Sequence, residues 1–195
     1  MANNDPLTGL AEGDQIVQPD SADNLIVNGD FESGSSGFTT HFDCSSGNLL
    51  PPDIYDVLAN PSSAHPLGVS YGDHTTGSGL MMAINGTNVA DALVWSQTVN
   101  VTPNTDYDFS LWASTWSATK PGSLEIKFNG ISFLNFTAPS KAGVWEKQGQ
   151  MWNSGSTSSL KIDILNTSSF FVGNDFALDD ISLTTAGNVP PNQGF

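Results

Sequence analysis

Trp112 and Trp116 stand four residues apart in a segment that alternates apolar and polar side chains, and Asp108 lies four residues before the first of them. On an extended strand this spacing puts all three on one face, with the two rings about 13 Å apart at ~3.3 Å per residue. Rings at that separation can stack on the sugar rings of one polymer chain, while Asp108 and Gln97 supply groups that bind hydroxyls. The opposed reading is packing, since a tryptophan in a β-protein is more often core than platform.

Other chemistries find less support. Asp73, His74 and Ser78 have the side-chain types of a nucleophilic triad, but adjacency is not geometry, and no Gly-x-Ser-x-Gly turn is present to expose a serine. Glycoside hydrolysis needs only two carboxylates, yet the chain has four Glu and no acidic cluster near the aromatics, so it is read as a non-enzyme. His41, His65 and His74 show no metal-ligand spacing, and a single cysteine, Cys44, forms neither an internal disulfide nor a Cys/His zinc site. Asn85, Asn100, Asn135 and Asn166 each begin an Asn-x-Ser/Thr sequon, a match that a sequence rich in Asn and Thr produces by chance.

Charge narrows the partners. Five basic residues, all lysines, stand against 20 acids for a net charge of −15, and no base precedes Lys120. Such a field repels phosphate backbones and anionic headgroups, which excludes nucleic acid and membrane surfaces as partners. It favours cations, and calcium above all, because carboxylate and carbonyl oxygens are its ligands. Met1 is followed by Ala-Asn-Asn-Asp rather than by a basic stretch and an apolar run, so no secretion signal is read, and no run approaches a membrane span.

The elements that must position these residues are strands. Asp106 to Trp116 places Tyr107, Phe109, Leu111 and Ala113 on one face; Leu124, Ile126 and Phe128 alternate with Glu125 and Lys127; Leu160, Ile162 and Ile164 alternate with Lys161 and Asp163. Asn129-Gly130 supplies the two positive-φ residues of a tight hairpin into Ile131 to Phe136. Further strands fit 80–84, 92–101, 144–152 and 176–183, and no window shows a capped 3.6-residue period. Eight or more strands and no helix predict an all-β, two-sheet antiparallel sandwich of the jelly-roll kind. Trp145 and Trp152 differ in parity, so they face opposite sides. Four prolines interrupt residues 43–78, which read as one long loop region. Residues 1–23 read as an extended acidic arm, 24–185 as the folded module, and 186–195 as a tail that Pro190-Pro191 keeps out of any inner strand.

Three segments carry a family resemblance: Asn28-Gly29-Asp30-Phe31-Glu32 opens the module, Gly72 to Gly79 precedes its central strand, and Gly173-Asn174-Asp175-Phe176-Ala177-Leu178-Asp179-Asp180-Ile181 closes it. Together they resemble the jelly-roll carbohydrate-binding modules attached to xylanases and cellulases and the related modules of bacterial surface proteins, over about residues 24–185. The resemblance implies a structural calcium where first and last strands meet, held by Glu32, by Asp179 or Asp180, and by a carbonyl near Asp30, with Asp73 supplying the remainder. Asp179-Asp180 breaks the inward alternation of Phe176, Leu178, Ile181 and Leu183, so either one Asp points inward or the strand bulges.

The reading that unites these observations is a non-catalytic, calcium-stabilised module that binds a polysaccharide or cell-surface glycan outside a cell or on a virion surface, in an adhesion or attachment role. The second reading is an assembly component, such as a virion decoration or head-fibre protein docked on a capsid through its N-terminal arm.

Overall fold

In the computed structural model, residues 24–117, 120–170 and 173–187 are described. The arm at 1–23 and most of the tail therefore lie outside the described residues. The strands are β1 (Asp43–Cys44), β2 (Ile54–Leu58), β3 (Met81–Asn85), β4 (Ala92–Asn100), β5 (Asp106–Thr115), β6 (Ser123–Phe128), β7 (Ile131–Thr137), β8 (Trp145–Asn153), β9 (Ser159–Asn166) and β10 (Phe176–Thr185). They form a six-stranded sheet in the order β1-β2-β3-β10-β5-β8 and a four-stranded sheet in the order β4-β9-β6-β7. The protein is an all-β, two-sheet jelly-roll sandwich. Every pairing is antiparallel except β1 with β2.

The inward faces are those the alternation predicts. Phe109, Leu111, Ile126, Ile162, Ile164 and Leu178 meet between the sheets, all fully buried. Asn129 and Gly130 take φ of 50° and 80° and join β6 to β7, which only residues tolerant of the left-handed region do without strain. Trp152 packs on the core beside Tyr107 and Phe128, whereas Trp145 lies on the outer face of the large sheet, its Nε1 donating to the Gly72 carbonyl.

Two expectations need correction. Residues 43–78 are not one loop: they contain β1, β2 and a 3-10 turn at Pro61–Ser63. Ile54–Leu58 is a short strand with prolines before and after it, and prolines outside the element leave its interior free to pair with β1 and β3. The Asp179-Asp180 conflict is resolved by a bulge. Register shifts between Asp179 and Ser182, and Asp180 takes φ 46°, so Ile181 and Leu183 both return to the core.

The opening segment lies beside the last strand without being a strand itself. Leu25 N donates to the Leu183 carbonyl and Ile181 N to the Gly29 carbonyl, at 3.0 and 2.9 Å. Phe31, at φ 56°, is fully buried, an uncommon backbone state for a bulky residue. Asn28 secures the turn around it, donating to the carbonyls of Gly34 and Ser36 and accepting from Ser33 N.

Candidate functional site

The outer face of the six-stranded sheet has two halves. Over one half fold the stretches on either side of β2, about residues 47–53 and 59–72. Leu49 and Ala64 cover Met81, Ala83, Trp116 and Ala177, a second apolar cluster separate from the core. Trp116 is fully buried there, its Nε1 donates to the Ile84 carbonyl at 2.9 Å, and the His65 ring lies 5.2 Å from its own. Trp116 does share a face with Trp112, but it is not on the surface; the covering segment has made it core, and it is withdrawn from the stacking pair.

The other half stays open. There Trp112, half-buried, sits between Asp179 of β10 and Lys147 of β8 in the strand register. A groove of about 510 Å³ runs beside it, walled by Asn24, Asn28, Asp30, Thr75, Trp112 and Lys147 among others, with Asp180 and Ser182 from the bulged strand. An aromatic wall with amides, carboxylates, hydroxyls and one ammonium around it suits a polyhydroxylated ligand.

Of the other predicted ligand groups, Asp108 lies on this outer face, opposite Thr184 and Met151, one residue pair beyond Ser110 of the groove. Gln97 does not approach it. It belongs to β4 in the other sheet, and its amide is spent on the chain, accepting from Val27 N and donating to the carbonyls of Val27 and Gly37.

The predicted acids converge on the loop from Asp73 to Leu80, but not in the predicted pairing. Glu32 Oε1 accepts from Leu80 N, and Asp73 accepts from Gly79 N and Thr76 N, so Glu32 and Asp73 take adjacent amides. Asp179 Oδ2 accepts from His74 N at 2.7 Å and Asp180 Oδ2 lies 2.6 Å from His74 Nδ1, so these two acids meet the loop at its other end. Asp30 stays at the surface, with Oδ1 accepting from Glu32 N at 3.4 Å. Burial pushes Asp179 up to about 7; the His74 amide opposes the rise and the Asp180 charge adds to it.

Among the described residues no three acidic, histidine or cysteine side chains gather as a metal-binding group. Glu32 and Asp73 are the two predicted acids that meet at one end of the loop, each accepting from its backbone amides. A side chain on Gly79 would collide with the Glu32 carboxylate, so glycine there keeps that acid against the loop.

His74, whose sequence context shows no metal-ligand spacing, stacks on Trp112 with ring centroids 3.7 Å apart and planes 16° apart. Neither this contact nor Lys147 carries a local sequence signal. Both follow from long-range pairing, Lys147 through the β5–β8 ladder and His74 through the acids of β10.

No protein-family model matches the sequence, and no curated protein matches it. Solved structures do share the fold. The N-terminal CBM22-1-CBM22-2 tandem domain from Paenibacillus barcinonensis Xyn10C is 17% identical over 89% of this chain and 49% of its own, with a TM-score of 0.55. TmCBM61 in complex with beta-1,4-galactotriose is 16% identical over 85% of this chain and all of its own, with a TM-score of 0.52. The enzymatically active domain of bacteriophage CBA120 tailspike protein 4 is 16% identical over 84% of this chain and 21% of its own, also with a TM-score of 0.52. This chain is thus built as carbohydrate-binding modules are, and among the described residues no helix is long and apolar enough to cross a membrane.

Proposed function

We propose that the protein is a non-catalytic glycan-binding module acting outside a cell or on a particle surface, with its ligand in the groove beside Trp112. The observation that carries the reading is that the open half of the large sheet's outer face pairs an indole with a concave polar wall among the described residues. Stacking on the ring and hydrogen bonds to Asp30 and Lys147 would divide the work of holding a sugar, while the amides of Asn24 and Asn28, engaged by the chain, shape the wall. The fold shared with two carbohydrate-binding modules, one of them holding a galactotriose, supports it. Affinity electrophoresis against soluble xylan, β-1,4-galactan, β-glucan and mannan tests it: retardation by at least one is expected, and migration unchanged in all four would end the reading.

Calcium is the second part of the proposal. Glu32 and Asp73 would hold the ion against the Asp73 to Leu80 loop, and an ion that binds only the native state raises stability with its concentration. Chelation should lower the melting temperature, with calcium but not magnesium restoring it; a melt indifferent to chelator removes the ion.

An assembly role on a virus particle is the alternative, favoured by the likeness to a tailspike domain. It places the partner contact on residues 1–23, so deleting them should leave glycan binding intact and abolish incorporation into particles.

A further inference from the structure

We infer that His74 is a positioning residue for Trp112: its imidazole covers one face of the indole and fixes the ring so that the rest of it is presented to the groove. The inference rests on the glycan reading above.

One main-chain hydrogen bond and two ring contacts hold His74. His74 N donates to Asp179 Oδ2 at 2.7 Å, Nδ1 lies 2.6 Å from Asp180 Oδ2, and the Trp145 ring meets the imidazole edge-on, with centroids 6.1 Å apart and planes at 74°. The next residue repeats the attachment, since Thr75 Oγ1 donates to Asp180 Oδ1 at 2.8 Å. The far end of the loop is tied by Asp73 to Thr76 N and Gly79 N and by Glu32 to Leu80 N. A side chain held at this many points is not a passing neighbour of the indole.

The placement is one-sided. Trp112 and Thr75 both wall the groove, and His74 does not. A half-buried tryptophan on an open sheet face would otherwise sample several rotamers, and a ligand that stacks on it would have to order the ring at its own expense. With the imidazole parallel to the indole at 3.7 Å, that ordering is already done, and one ring face is closed to ligand. The bulge in β10 belongs to the same device: without its extra residue, Asp180 would not reach the imidazole from beside Asp179. This gives the Asp179-Asp180 pair a task, the placement of an aromatic ring, that differs from the metal-ligand role the sequence suggests.

Calorimetry with the parent protein, His74→Ala, His74→Phe and Trp112→Ala tests the inference, using whichever of soluble xylan, β-1,4-galactan, β-glucan or mannan the parent binds. Removing the stacked partner should weaken binding about five- to tenfold, the scale of one aromatic contact. Phenylalanine keeps a flat ring but no Nδ1, and should return the affinity to within about twofold of the parent if stacking is what matters. A merely structural role would lower the melting temperature of both His74 variants together without separating their affinities. NMR supplies a ligand-free reading: the imidazole ring protons of one of the three histidines should be shifted upfield by the indole, and the shift should vanish in Trp112→Ala. Equal affinities of parent and His74→Ala, a His74→Phe no better than His74→Ala, or no upfield imidazole signal would each overturn the inference. If the parent binds none of the four polymers, the glycan reading falls and the inference with it.

Discussion

Trp112 in β5 and Trp116 just past its end face the same side of the sheet, yet one walls a groove and the other is core. The difference lies not in either residue but in what crosses over them. The segment carrying Leu49, Ala64 and Gly68 runs across the end of the sheet where Trp116 lies, and Gly68 even bridges to Ser117; among the described residues the ring that folds over Trp112 is His74. A β-sandwich has two outer faces to dispose of, and this one covers half of a face with chain and leaves the other half open. On the function proposed above, the covered half is a matter of stability and the open half a matter of binding, and substitutions on the two should divide accordingly.

The largest effect belongs to the covered half. Trp116→Ala removes a fully buried indole and its hydrogen bond to Ile84, and should destabilise by about 3–5 kcal/mol, the usual cost of emptying such a site. Equilibrium urea unfolding measures it, and a loss below about 1 kcal/mol would mean that the covering segment does not pack as a second core. Next comes the cover itself. A side chain at Gly68 would fall 2.7 Å from the Pro61 carbonyl oxygen and 2.8 Å from its carbon, backbone that cannot swing aside. Gly68→Ala should therefore cost roughly 1–3 kcal/mol, as overpacking does, and raise the protease sensitivity of residues 47–72. A variant as stable and as resistant as the parent would show the segment to be loosely laid on the sheet.

These halves also show where the sequence is legible. Alternation is a local property, so β3 to β10, the parity of Trp145 and Trp152 and the Asn129-Gly130 hairpin could be read directly. The double Asp at the end of the module could be read as a conflict with alternation, and the bulge is its resolution. What crosses a face is not local. Trp116 and Trp112 share one parity, and the path of the loops on either side of β2, broken by prolines and without a period of their own, decides between them. Gln97 failed for the same reason, since its partners Val27 and Gly37 come from a segment 60 to 70 residues away. The acids were recognised as a set, but their pairing followed an expected meeting of first and last strands, whereas the loop at 73–80 intervenes and takes them two by two.

A smaller effect in the covered half depends on pH. Asp175 is nearly buried, and burial raises its carboxyl above the ordinary 3.8, opposed by the Gly86 amide and the Ser117 hydroxyl. A raised carboxyl binds its proton more tightly in the native state than in the unfolded chain. Its contribution is therefore most favourable below pH 3.8, and stability is lost as pH rises from there through the raised native value. Asp175→Asn keeps an oxygen for the Gly86 amide and cannot ionise. The stability of the variant relative to the parent should rise with pH over that window and then level off. A difference that is flat with pH would show the native carboxyl to be fully compensated by its neighbours, and the covered half to be less dry than its apolar cluster indicates.

The smallest effect on stability, and the one that most directly separates the halves, is expected at Trp112. Its ring is half-buried and faces the groove, so Trp112→Ala exposes no closed cavity; it forfeits the His74 stack, on the order of 0.5–1.5 kcal/mol for such an aromatic pair. Binding should respond in the opposite proportion. An indole that forms the aromatic wall of a polar groove is the only part of it that can stack on the flat face of a sugar, so its loss should reduce affinity well beyond tenfold while the unfolding midpoint moves little. Trp116→Ala, measured at a temperature where it is still folded, should bind as the parent does. If instead the two variants lose stability equally and binding equally, the sheet face is a single cooperative surface, and the division between a covered and an open half has no energetic meaning.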